Sequence, residues 1–204
     1  MDPKETASER EALRALPPRQ AVARALIVSH MPANEREAEH RRRMLELAGR
    51  PADVFSRAHF TPGHFTASAF VLSPEGGELL LIDHRRLGRW LQPGGHVDPE
   101  DRDLAAAAVR EVREETGIEI DLDPTSAGLP YDLLDLDVHA IPPRTDRGEP
   151  AHEHFDVRFL ARARSRALRA GSDARAARWV PFAEVAGLET DDSVRRVVAK
   201  LAVK

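Results

Sequence analysis

The stretch Pro93-Gly94-Gly95-His96-Val97-Asp98-Pro99-Glu100-Asp101-Arg102-Asp103, followed by Leu104 to Val109 and then Arg110-Glu111-Val112-Arg113-Glu114-Glu115-Thr116-Gly117-Ile118, decides the fold. Residues 104–116 read as one helix, alanine-rich, started by Asp101 or Asp103 and stopped by Gly117. Helical spacing puts Glu111, Glu114 and Glu115 on one face. Three packed carboxylates repel and cost stability unless something positive sits among them. Arg110 and Arg113 adjoin them in sequence but are expected to point elsewhere, which leaves a divalent cation as the natural counter-ion. Ligation by oxygen alone selects hard ions such as Mg²⁺ or Mn²⁺. Gly94-Gly95 permits a tight turn in which a backbone carbonyl approaches a metal without side-chain interference. Leu104, Ala105, Ala108, Val109 and Val112 form the buried side of the helix and make it a rigid platform. A solvated acidic helix face would explain two or three isolated glutamates; the complete constellation outweighs it.

Residues 110–118 after a Gly-Gly turn resemble the Nudix box of MutT-like hydrolases: Arg-Glu-apolar-any-Glu-Glu-any-Gly-apolar. Five fixed positions arise by chance at about one in a million per start, at roughly 6% usage per residue. The resemblance spans about residues 94–118, and the flanking strands and Trp179-Val180-Pro181 also follow the family's layout. It implies an α/β fold, an α/β/α sandwich with a mixed β-sheet. It also implies hydrolysis of a nucleoside diphosphate linked to another group. By position, Glu114 and Glu115 would be metal ligands, Glu111 a ligand or the base that activates water, the Gly95 carbonyl a further ligand, and Arg110 the residue that orients the glutamates. One departure stands out. Counting forward from Gly95 puts the family's early glutamate at Asp101, whereas counting back from Arg110 puts it at Arg102. A one-residue insertion at the helix start, with Asp101 replacing the glutamate, accounts for this; Asp101 also reads as a plain N-cap.

Outward from the box, residues 66–72 and 78–83 read as a hairpin across Pro74-Glu75-Gly76-Gly77. Residues 118–122, 131–141, 153–163 and 179–182 read as further strands, and residues 192–203 as a closing helix. His152-Glu153-His154 opens a strand, so alternation puts both histidines on one face and Glu153 on the other. The family often draws an extra base or metal-binding acid from outside the box. Glu153 is the candidate here and Asp156 the fallback. His96 follows the glycines and faces the cleft; His96 and His154, or His152, are candidates for contact with substrate phosphate. His64 is a weaker candidate, and the other histidines are read as structural or exposed. Arg85, Arg86 and Arg89 precede the cleft, and Arg85 and Arg89 are candidate phosphate ligands. Residues 1–60 form a helical extension or lid and residues 61–204 the domain that carries the box. Within the extension, helices are expected over 9–16, 19–30 and from Asn34 to Gly49, with Glu37 completing a capping box.

Composition bounds the rest. The chain has 204 residues, 42% hydrophobic and 31% charged, with a net charge of −4; this describes a globular protein with a real core. Absence of cysteine excludes disulfides, thiolate zinc sites and a cysteine nucleophile. The charged opening lacks the apolar run of a signal peptide, and no stretch approaches the ~20 apolar residues of a membrane span. The expected location is cytoplasmic, with no membrane partner. Lys4, Lys200 and Lys204 are the only lysines, a bias that a GC-rich genome explains. The acidic balance argues against DNA as a partner. The expected partner is a small nucleoside diphosphate-type substrate: a nucleoside triphosphate, ADP-ribose or a nucleotide sugar. A homodimer remains an open option. The competing readings are a catalytically silent nucleotide-binding module, an isoprenoid diphosphate isomerase (expected to use a cysteine) and an RNA 5′-end pyrophosphohydrolase.

Overall fold

The computed structural model describes residues 16–123, 131, 133–169, 171 and 174–201. The helix expected over 9–16 lies, apart from its last residue, outside them. Helices α1 (Pro18–Ser29) and α2 (Glu35–Ala48) precede strands β1 (Gly63–Leu72), β2 (Glu78–His84), β3 (Arg89–Leu91) and β4 (Gly94–His96). Helix α3 (Leu104–Thr116) carries the glutamates. Strands β5 (Ile120–Leu122), β6 (Leu133–Ile141), β7 (His152–Ala163) and β8 (Ala174–Pro181) follow, then the short α4 (Phe182–Val185) and α5 (Asp192–Leu201).

The strands form one mixed sheet in the order β3-β2-β1-β7-β5, with β4 on β1, β6 on β7 and β8 on β2. The β1–β7 pair is parallel and the other pairs are antiparallel. Side-chain alternation splits β1 between two cores. Phe65, Ala67, Ala69 and Val71 pack with α3, through Ala108 and Val112, and with Leu26 and Met44 of α1 and α2. Phe70 faces the other way and joins Val194 and Val197 of α5. Helices therefore cover both faces of a mixed sheet, the α/β/α arrangement that the resemblance implied.

Helices α1 and α2 bury Leu26, Ile27, Met44 and Leu47 in the same cluster as α3 and the sheet, so they form a packed layer of the core. The capping box at Asn34 forms in modified style. Asn34 Oδ1 accepts from Glu37 N–H at 3.0 Å, while Glu37 Oε2 accepts from Ala33 N–H at 2.7 Å. Other elements differ from expectation. β3 and β4 lie where the composition predicts loop and turn. β8 begins at Ala174, well before Trp179, and Phe182 opens α4 instead of closing the strand.

Candidate active site

Helix α3 starts and stops where its end residues dictate. Asp103 Oδ1 accepts from Ala106 N–H at 2.8 Å, and Gly117 takes the left-handed conformation at φ 70°, its N–H donating to Arg113 O. Because Asp103 is the N-cap, Asp101 is free for another task. It accepts from Asp98 N–H at 2.8 Å and from Arg110, through Nε at 3.1 Å and Nη2 at 2.8 Å. Burial opposes ionisation of Asp101, but the Arg110 hydrogen bonds outweigh it and hold the carboxyl below its ordinary range.

Arg110 does not point away from the glutamates, contrary to the expectation from sequence adjacency. Its Nη1 donates to Glu111 Oε1 at 3.0 Å and to Glu114 Oε2 at 3.1 Å, and its Nη2 to the His96 carbonyl at 2.8 Å. The long side chain folds over the helix surface to the i+4 position, and its planar fork serves several acceptors at once. Burial pushes the Glu111 carboxyl up; Arg110 opposes that, while Glu114 and Asp98 add to it. Glu115 is buried and its Oε2 accepts from Gly94 N–H at 3.0 Å, which ties the helix to the glycine turn. Glu114 is half exposed.

Strand β4 sets this turn against β1, with Ala67 opposite Gly95 and Ser68 opposite Gly94. A Cβ on Gly95 would lie 2.8 Å from the Glu111 carboxyl carbon. Only glycine lets backbone and carboxylate meet here. These residues fit a hard divalent cation. The Glu111 and Glu114 oxygens already converge on one nitrogen of Arg110, all donors are oxygen, and the space that a side chain at position 95 would fill lies against the Glu111 carboxylate.

The other expected site residues distribute unevenly. His96 and His154 come together, their rings 5.2 Å apart, but within a larger histidine group with His64, His152 and His139. Burial, and then neighbouring positive groups, push His64 down to about 4, His96 to about 3 and His154 to about 2, so these rings are neutral near pH 7. Glu153 faces away from them, as alternation predicts, and pairs with Arg43 of α2. Asp156 accepts from Thr66, Ser68 and the buried Arg158, so the fallback acid is committed to a buried network. Arg85 and Arg89 sit exposed at the β2–β3 turn. No hydrogen bond or ion pair among the described residues joins their side chains to the box. Sequence reasoning gave little weight to His64 and none to His139. The cross-strand register His64–His154–His139 that aligns them is invisible in a single sequence.

With this geometry in hand, similarity to known proteins becomes informative. The model of the NUDIX domain family matches residues 62–201. An RNA pyrophosphohydrolase of Erythrobacter litoralis is 44% identical over 50 residues, which are 24% of this chain and 30% of that protein. A probable DHNTP pyrophosphohydrolase of Lactococcus lactis subsp. cremoris is 33% identical over 95 residues, 47% of this chain and 51% of that protein. The chain thus spans about half or less of these relatives. Among solved structures, a C. elegans Ap4A hydrolase binary complex superposes with a TM-score of 0.52 at 16% identity, covering 68% of this chain and 95% of that one; this is a likeness of fold. The family match takes in the glycine turn, the carboxylate helix and more than half of the chain, and the chain therefore belongs to the Nudix family.

Proposed function

We propose that this protein is a metal-dependent pyrophosphohydrolase that cleaves a diphosphate linkage in a nucleoside diphosphate derivative. The observation that carries the reading is the convergence of Glu111 and Glu114 on one cationic nitrogen beside the Gly94-Gly95 turn. Both sequence relatives are named pyrophosphohydrolases, which supports the reaction class. Their named substrates differ, so the substrate class stays at nucleoside triphosphate, ADP-ribose or nucleotide sugar.

Glu111, Glu114 and Glu115 with the Gly95 carbonyl would hold Mg²⁺ or Mn²⁺. Such an ion would neutralise charge on the diphosphate and make water a better nucleophile. Where Glu111 is not itself a ligand, it would serve as the base that takes the proton from the attacking water, its carboxyl lying beside the glycine turn. Arg110 keeps Glu111 and Glu114 oriented and is itself anchored by Asp101 and the His96 carbonyl. Glu153 pairs with Arg43 of α2 and, among the described residues, with no group of the box, so it is a poorer choice of base. His96 adjoins the Gly95 turn and its ring lies 5.2 Å from that of His154, which keeps both as candidates for contact with substrate phosphate, whereas Arg85 and Arg89 make no hydrogen bond or ion pair with the box among the described residues.

The test is a panel of nucleoside triphosphates, ADP-ribose and nucleotide sugars, scored for phosphate or pyrophosphate release with Mg²⁺ or Mn²⁺. Wild type is expected to turn over at least one class, and Glu114→Gln to lose about 10²-fold or more in kcat. Glu153→Gln, run beside it, is expected to keep kcat within a few fold. No turnover with any metal, or full activity in Glu114→Gln, would leave the silent binding module as the better reading.

A further inference from the structure

Five histidines from four strands meet at one end of the sheet: His64 on β1, His96 on β4, His139 on β6, and His152 and His154 on β7. The parallel register sets His64 opposite His154, and the antiparallel one sets His139 opposite His154. His64 lies 4.9–5.2 Å, ring centre to ring centre, from His96, His152 and His154. One ring nitrogen each of His64, His152 and His154 falls within 4.8 Å of the others.

The tautomers are set from behind. His152 Nδ1 faces the Pro150 carbonyl at 2.8 Å, and His64 Nδ1 faces the His59 carbonyl at 3.3 Å. Carbonyl acceptors there place the proton on Nδ1 and leave Nε2 as a lone-pair donor. This is the outer-shell pattern that orients histidine ligands of metals. His64 is 1% exposed, and its Nε2 is buried with no hydrogen-bond partner. A buried polar atom left unpaired in this way calls for an explanation, and a metal bond to Nε2 supplies one.

We propose that His64, His152 and His154 form a second metal site, for a transition-metal dication of the Zn²⁺ class, with His96 placed to add a fourth nitrogen. Imidazole donors select Zn²⁺, Co²⁺, Ni²⁺ or Cu²⁺ over Mg²⁺, so this site and the carboxylate site differ in chemistry. Tetrahedral bonds of ~2.0–2.1 Å require ligand nitrogens about 3.4 Å apart. The rings therefore draw inward by about an ångström on binding. His96 follows Gly95 directly, so strand β4 links the two sites through consecutive residues. The proposal does not rest on the hydrolase reading, and either can fail alone.

The experiment uses the tag-free full chain, stripped of metal and titrated with Zn²⁺ alone by calorimetry, with excess Mg²⁺ present to occupy the carboxylates. Co²⁺ substitution reports coordination through visible absorption. One equivalent of Zn²⁺ is expected to bind wild type and Glu111→Gln/Glu114→Gln alike. His152→Gln/His154→Gln is expected to bind at least 100-fold more weakly, with tetrahedral Co²⁺ bands lost. Because buried histidine variants can misfold, wild type is also followed by ring-nitrogen NMR. Zn²⁺ should shift the imidazole nitrogens of His64, His152 and His154. Undiminished Zn²⁺ binding in the folded histidine variant, binding abolished by the glutamate variant, or unmoved imidazole signals at saturation would each overturn the proposal.

Discussion

At the scale of residues, the two adjacent glycines have different work, and this is testable. A Cβ on Gly94 would fall 2.3 Å from Ser68 Cβ and 2.6 Å from Ser68 Cα. Backbone cannot move aside cheaply, so Gly94→Ala should destabilise the fold by about 3 kcal/mol or more, at the upper end of overpacking costs. The three atoms nearest a Cβ on Gly95 all belong to the Glu111 carboxyl group, the far end of a flexible side chain. Gly95→Ala should therefore unfold within a few degrees of wild type yet lose most of its metal-dependent turnover. Thermal melts and the phosphate-release assay separate the two; equal melting losses in both variants would refute the distinction. The glutamate triad was legible because helical spacing alone puts Glu111, Glu114 and Glu115 together. The roles of Asp101 and Asp103 were not. Both can cap a helix, and only the fold shows that Asp103 does so while Asp101 holds Arg110. Adjacency in sequence also misjudged Arg110, because a long side chain reaches acceptors that its Cα direction does not indicate.

At the scale of elements, α3 matched its reading at both ends, since its cap and stop are local signals. Strands β3 and β4 were missed for the opposite reason. Both have only three residues, too few for a periodic signal; β3 exists through pairing with β2, and β4, which contains Gly94 and Gly95, through pairing with β1. The Arg/Ala-rich start of β8 likewise becomes strand by pairing with β2. The N-terminus of α2 carries a pH dependence. Glu37 is buried, and burial alone would raise its pKa; hydrogen bonds from His30, Lys200 and Ala33 N–H reverse this and bring it from 4.5 down to about 2. A depressed carboxyl contributes stability that is fully present above pH 4.5 and lost as pH falls towards 2. The Glu37–Lys200 contact joins α2 to α5, so this loss loosens the first and last helices together. The stability difference between wild type and Glu37→Gln, from urea denaturation, should be a few kcal/mol at pH 6 and shrink steadily below pH 4.5. A pH-independent difference would contradict the linkage.

At the scale of the whole molecule, one buried charge network joins layers that the hydrophobic cores keep apart. Arg158 on β7 is 2% exposed and bonds Asp156 at 2.8 Å, Asp137 at 3.2 Å and Asp135 at 3.3 Å. Arg196 and Lys200 of α5 add cations to Asp135 and Asp137, and Thr66 and Ser68 of β1 donate to Asp156. The sequence did not reveal this. The alternation Asp135-Leu136-Asp137-Val138 reads as a strand with one wet face, and only the packing of α5 over that face buries it. The network lies between the histidine end of β1 and β7 and the apolar end at Phe70 and Leu160, so it holds the register on which both candidate sites depend. Removing one partner of a buried ion pair strands the others, at a cost of about 3–5 kcal/mol, whereas replacing both with apolar groups is often close to neutral. Arg158→Leu should therefore lower the unfolding free energy from urea denaturation at pH 7 by that amount, and Asp156→Leu introduced into the same chain should recover part of the loss. The coupling between the two substitutions is the decisive quantity. Strictly additive losses would mean that Asp156 is neutralised by its neighbours alone, and that Arg158 serves only Asp135 and Asp137.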